Sequence, residues 1–221
     1  MTSLAFRKPY GGMQMEGPLA TWYARMTRDR PDFPVTASTI AERLPDGGDV
    51  LEVGPGPGYL SLQLARLGNY RVTGLDISHS LVRIASEQAR RAGLSVDFRQ
   101  GDVAHMPFAA DTFDYVVSQA AFKNFPDPVA ALDEIHRVLR PGAQASILDM
   151  RKDAPAEAID REIRGMRLPA ASAFLTRLIF RYGLLRAAYT RDALEAAVTR
   201  SRFGRGEIAD DGVGFELRLF K

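Results

Sequence analysis

From Asp49 onward, short apolar runs alternate with stretches whose apolar positions recur at helical spacing. "DVLEVG" reads as a buried strand, and "YLSLQLARLG" as a helix with Leu60, Leu64 and Leu67 on one face and Gly68 ending it. "YRVTGLD" is the second strand. "SLVRIASEQARRAG" follows as a helix capped by Ser78 or Ser80 and stopped at Gly93, and "VDFRQGD" is the third strand. "FDYVVSQ" is the fourth. Asp127 with Pro128 opens a helix, "VAALDEIHRVLR", that ends at Pro141-Gly142, and "QASILDM" is the fifth strand. In "GEIADDGVGFELRLFK", two strand-like runs flank Asp210-Asp211-Gly212, which predicts an antiparallel terminal hairpin.

This alternation predicts a doubly wound α/β sheet of seven strands, mostly parallel, with ligands bound beyond the carboxyl ends of its strands. Residues 1 to about 40 and 151 to 190 stand outside the alternation and read as helical lid segments. The whole chain reads as one domain: lid 1–40, core 41–150, helical insertion 151–190, and final helix with hairpin 191–221. No internal repeat interrupts it.

Composition narrows the chemistry. A chain of 221 residues, 46% hydrophobic and 25% charged, suits one globular domain with no membrane span. Without cysteine there is no disulfide, thiolate metal site or cysteine nucleophile, and three scattered histidines argue against zinc. The first residues lack the continuous apolar stretch of a secretory signal, so a cytoplasmic location is expected. A net charge of +2 argues against a nucleic-acid partner. Between Arg151 and Arg191, nine basic residues face four acidic ones, and this local excess permits interfacial association.

The stretch "LEVGPGPGY" spaces Gly54, Gly56 and Gly58 evenly by two, whereas a dinucleotide fingerprint places its third glycine three positions past the second. Pro55 and Pro57 remove two amides from the loop. A ligand can come close here without presenting a phosphate. Asp76 at the end of the second strand suits ribose hydroxyls, Asp102 in "QGD" suits an adenine amino group, and Glu52 can balance a cationic ligand. Either aspartate could instead be an ordinary cap.

With "VTGLDIS", "VDFRQGDVAHMPFAADTFDYVVS" and "ALDEIHRVLRPG" following in order, the chain resembles the class I S-adenosylmethionine-dependent methyltransferases over about residues 48 to 150. It is most similar to the small-molecule branch that includes the ubiquinone and menaquinone C-methyltransferases, the methyltransferase type 11 domain. The resemblance implies a Rossmann-like fold and S-adenosyl-L-methionine as cofactor, with S-adenosyl-L-homocysteine as product. It implies that Gly54 and Gly56 meet the methionine part, Asp76 holds the ribose, Ile77 packs on adenine, and Asp102 with the amide of Val103 reads the adenine edge. The implied activity is methyl transfer to an O-, S- or C-atom of a small hydrophobic or aromatic acceptor. A non-catalytic S-adenosylmethionine-binding protein and an NAD-dependent dehydrogenase are the competing readings.

The fourth-strand exit, "SQAAFKNFPDP", faces the cofactor in such a fold and makes Gln119, Phe122, Lys123, Asn124 and Phe125 site candidates. It lacks the histidines that many members carry there. Sequence alone settles no catalytic residue; Lys123, Asn124 and His105 are the candidates, with Lys123 either placed to orient an anionic acceptor or snorkelling at the surface, and His105 otherwise in a surface or packing role. His136 and His79 read as structural and solvated. Met13, Met15, Trp22, Tyr23 and Met26, with Met150, Met166, Phe174, Leu178 and Tyr182, are the expected lining of a soft acceptor pocket.

Overall fold

The computed structural model describes residues 15–165, 177, 185 and 188–221. Its strands are β1 (Gly48–Val53), β2 (Tyr70–Asp76), β3 (Val96–Gln100), β4 (Phe113–Gln119), β5 (Leu139–Met150), β6 (Glu207–Asp211) and β7 (Gly214–Phe220). They form one sheet in the order β3-β2-β1-β4-β5-β7-β6. β1 to β5 run parallel, and β7 joins β5 and β6 antiparallel, so the expected terminal hairpin closes one edge. The helices are α1 (Gly17–Thr27), α2 (Asp32–Arg43), α3 (Tyr59–Arg66), α4 (His79–Ala92), α5 (Pro128–Val138), α6 (Ala156–Gly165) and α7 (Arg191–Arg200).

Because strand side chains alternate, each face of the sheet has its own core. Val50, Val72, Tyr115 and Val117 meet Ala37 and Ile40 of α2 and Leu60 and Leu64 of α3. Leu51, Val53, Val116 and Ile147 meet Leu132 and Ile135 of α5 and Leu194 and Val198 of α7. The strand order reverses between β1 and β4, and a ligand crevice opens at such a switch point. No described helix is long and apolar enough to cross a membrane.

The caps follow sequence chemistry. The Ser78 hydroxyl takes the amide of Leu81 to start α4, and Gly93 ends the helix in the left-handed region at φ +66°. Asp127 takes the amide of Ala130 to start α5, with Pro128 first in the helix. Three boundaries differ from the sequence reading. α5 stops at Val138, because Leu139 is already extended and fully buried opposite Phe113 in the sheet. Leu67 is an exposed cap rather than a core position, since α3 ends one residue before it. β3 ends at Gln100, and Asp102 instead caps a short 3-10 turn over Val103–His105.

Candidate functional site

The crevice is built from the ends of β1, β2, β4 and β5, with α1 and the start of α2 against it. After β1 the chain turns through three left-handed glycines, Gly54 (φ +72°), Gly56 (φ +53°) and Gly58 (φ +83°). A Cβ at Gly54 would overlap the methyl of Ala121, and one at Gly58 would press on Phe98 and Ala85. Only at Gly56 is there ordinary room, beside the ring of Tyr23 at 3.6 Å. Every glycine amide in this loop is spent within the protein. Gly54 donates to the carbonyl of Leu75 (2.8 Å), Gly56 to Asp76 (2.9 Å) and Gly58 to the carbonyl of Pro55 (2.9 Å). Pro55 and Pro57 have no amide to give. Residues 54–58 thus present no free donor to an anion.

Asp76 is buried at the end of β2, and its carboxylate accepts the amides of Gly56 and Ser78 (both 2.9 Å). Burial pushes its pKa up, against the lowering effect of those amides. Behind the loop, Glu52 accepts the Ser61 hydroxyl in the interior. Its desolvation raises the pKa to about 7, with Ser61 opposing the shift and the nearby Asp76 adding to it. Ile77 is exposed. Asp102 is exposed as well, and it caps through the amide of Ala104 (2.9 Å) rather than that of Val103.

At the β4 exit, Ala120 is left-handed at φ +61°, an unusual conformation for a residue with a Cβ. Its carbonyl accepts the Lys123 ammonium, which also pairs with Asp149 at 2.9 Å; their side chains are 14% and 1% exposed. Asp149 further accepts the amides of Lys123 and Met150. Lys123 is therefore a half-buried tie between the ends of β4 and β5, not a snorkelling surface lysine. Gln119 donates to Asp32 of α2 (2.7 Å), and its buried Oε1 has no partner. Phe122 and Phe125 turn into the core, where Phe122 meets Tyr189 at 5.6 Å, instead of lining the crevice. Asn124 is half-buried in a one-turn 3-10 segment. His105 is exposed, 3.4 Å from Asp102. His136 packs edge-on to Phe203, and His79 is exposed.

α1 places Tyr23 toward the crevice and leaves Trp22 and Met26 outside, so those two do not share a pocket with it. The Tyr23 phenol is raised in pKa by burial, with Arg30 opposing and the carboxylates of Asp76, Asp149 and Asp32 adding to the shift. Met13, Met166, Phe174, Leu178 and Tyr182 lie outside the described residues. Sequence reading passed over Asp149 and Asp32. Asp149 lies one residue before the end of β5 in "ILDM", close to where Asp76 stands at the end of β2 in "GLD", which was the available signal. The assembled crevice is rich in carboxylates, has an orphaned acceptor and offers no donors from its glycine loop. Such a donor set fits a cationic, phosphate-free ligand with hydroxyls.

The family described as "Methyltransferase domain" matches residues 51–147. A 2-phytyl-1,4-naphtoquinone methyltransferase from Synechococcus elongatus is 35% identical over 136 residues, 58% of each chain. A demethylmenaquinone methyltransferase from Listeria welshimeri is 34% identical over 110 residues, 48% of this chain and 47% of its own. The chain thus spans about half to three fifths of these relatives' length. A crystal structure from Methanococcus maripaludis, assigned to the S-adenosyl-L-methionine-dependent methyltransferases, shares the fold with a TM-score of 0.72 over 97% of both chains at 23% identity.

Proposed function

We propose that this chain, whose residues 51–147 match the methyltransferase-domain family, transfers a methyl group from S-adenosyl-L-methionine to a small, hydrophobic or aromatic acceptor. A naphthoquinol is the acceptor type that the relatives' names point to. The observation that carries the cofactor reading is the glycine loop, whose amides are all consumed internally. That loop is a poor cradle for a pyrophosphate and a good neighbour for a cation. When bound, S-adenosyl-L-methionine supplies an electrophilic methyl group on a sulfonium.

In this reading Asp76 takes the ribose hydroxyls on the lone pairs that its two amide bonds leave free. Ile77 covers the adenine, and Asp102 with the Val103 amide reads its edge. The open side of Gly56 admits the methionine part. The orphaned Oε1 of Gln119 accepts from its ammonium, and Glu52 lies behind as a carboxyl whose ionisation follows the charge brought in. Lys123 and Asp149 fix the β4 exit where the acceptor arrives, and His105 stays on the adenine side.

A phenolate or enolate acceptor is already nucleophilic, so the protein's task is alignment and exclusion of water. The lid segments, represented by α1, α2 and α6, supply that enclosure. The cysteine-free chain suits a reducing, cytoplasmic setting.

Calorimetric titration tests the cofactor. S-adenosyl-L-methionine and S-adenosyl-L-homocysteine should bind and NAD should not, and Asp76→Ala should lose at least about tenfold in affinity as two hydroxyls lose a charged acceptor. NAD binding without binding of the sulfonium, or an unchanged Asp76→Ala, overturns the assignment.

A further inference from the structure

α1 carries two different faces. Ala20 and Ala24 are buried, and Tyr23 adjoins Gly56 in the crevice. The opposite face presents Pro18, Thr21, Trp22, Arg25 and Met26 to solvent. Trp22 is 54% exposed and Met26 65%, one helical turn apart on the same stripe. A solvent-facing stripe is ordinarily polar. Here its largest side chains are apolar, and the only charge within the helix is Arg25. Arg28, exposed at the C-cap, adds a second cation; Asp29 follows beyond the cap, and Arg30 is taken by Asp32.

Two apolar side chains make too small a patch for a protein interface, which needs about 800 Å² from each partner. They are enough for shallow insertion. Tryptophan and methionine seat at the boundary between headgroups and acyl chains while neighbouring arginines meet anionic phosphates. We propose that the outer face of α1 docks this protein on an anionic lipid surface. The inference rests on the acceptor reading above, taken with the phytyl chain that the name of the Synechococcus relative carries, because an acceptor with such a hydrocarbon tail resides in the bilayer. Since Tyr23 lies on the inner face of the same helix, docking brings the cover of the crevice against the membrane that holds the acceptor.

Trp22 is the only tryptophan in the chain, so its fluorescence reports on this surface alone. The full-length protein is titrated with vesicles of phosphatidylcholine and with vesicles of phosphatidylcholine and phosphatidylglycerol in equal parts. The emission should shift to the blue only with the anionic vesicles, and high salt should reverse the shift. By vesicle flotation, Arg25→Gln and Arg28→Gln should each lower partitioning about fivefold. Trp22→Ala and Met26→Ala should lower it by at least about tenfold as buried apolar area is lost. No shift with anionic vesicles, or partitioning untouched by all four substitutions, overturns the proposal. A blue shift on raising protein concentration without lipid assigns the face to self-association and overturns it as well. Cofactor titration of the same variants in solution separates the two claims: retained binding confirms an intact fold, and a wild type that binds no S-adenosyl-L-methionine removes the enzymatic reading whatever the vesicles show.

Discussion

Glu52 is a single carboxyl whose burial makes the whole fold sensitive to pH. Its folded pKa lies at about 7 against the ordinary glutamate value of 4.5, so the folded state holds a proton that the unfolded chain releases earlier. The stability this contributes is complete below about pH 4.5 and is lost as the pH rises through about 7, a loss of roughly 3 kcal/mol. Urea unfolding of the ligand-free protein across this window should show that decline. Glu52→Gln, which keeps the shape and the Ser61 contact without the ionisation, should flatten it; an unchanged slope in that variant would assign the pH dependence elsewhere. Glu52 and Asp76 were legible in the sequence because both belong to short motifs at strand ends. The partners of Gln119 and Lys123 were not, because Asp32 and Asp149 lie 87 and 26 residues away and only the packing of α2 and the pairing of β5 bring them in.

At the scale of elements, the decisive feature is how the β4 exit is fastened to β5. Asp149 is almost fully buried and is neutralised by Lys123, so removing the lysine leaves an uncompensated charge in the interior. Lys123→Met should therefore destabilise the protein by about 3–5 kcal/mol, and adding Asp149→Leu should recover much of that loss. Chemical denaturation of the single and double variants measures it; a single variant as stable as the wild type would mean the tie does not organise this loop. Strands and central helices were readable from periodicity and caps, as Ser78, Gly93 and Asp127 show. The end of α5 was misjudged because Pro141-Gly142 is a strong stop signal, yet the sheet claims Leu139 earlier through its pairing with Phe113. Tertiary burial overrode local punctuation there. α1 is held by long-range bonds that no local pattern announces. Glu16 accepts the amides of His79 and Ser80, and the Tyr59 hydroxyl donates to the carbonyl of Ala24.

For the molecule as a whole, these tethers join α1 to α4 and α3, the helices that follow β2 and the glycine loop. A ligand that orders the Asp76 turn should therefore also order α1. Hydrogen exchange with and without S-adenosyl-L-homocysteine should show added protection across Met15–Met26 as well as in the loop; protection confined to the loop would make α1 static packing rather than a lid. The sheet and its switch point could be foreseen from the alternation of strands and helices, whereas the acceptor side could not, since it depends on which helix faces turn inward. Tyr23 and Trp22 are neighbours in sequence with opposite fates. The most direct test of the proposed activity is transfer of labelled methyl from S-adenosyl-L-methionine to a panel of quinols, phenols and thiols, assayed as organic-extractable label together with S-adenosyl-L-homocysteine. The expected result is label in a naphthoquinol product, with one S-adenosyl-L-homocysteine formed for each methyl transferred. Tight cofactor binding with no label in any acceptor would contradict it and leave a protein that binds the cofactor without using it.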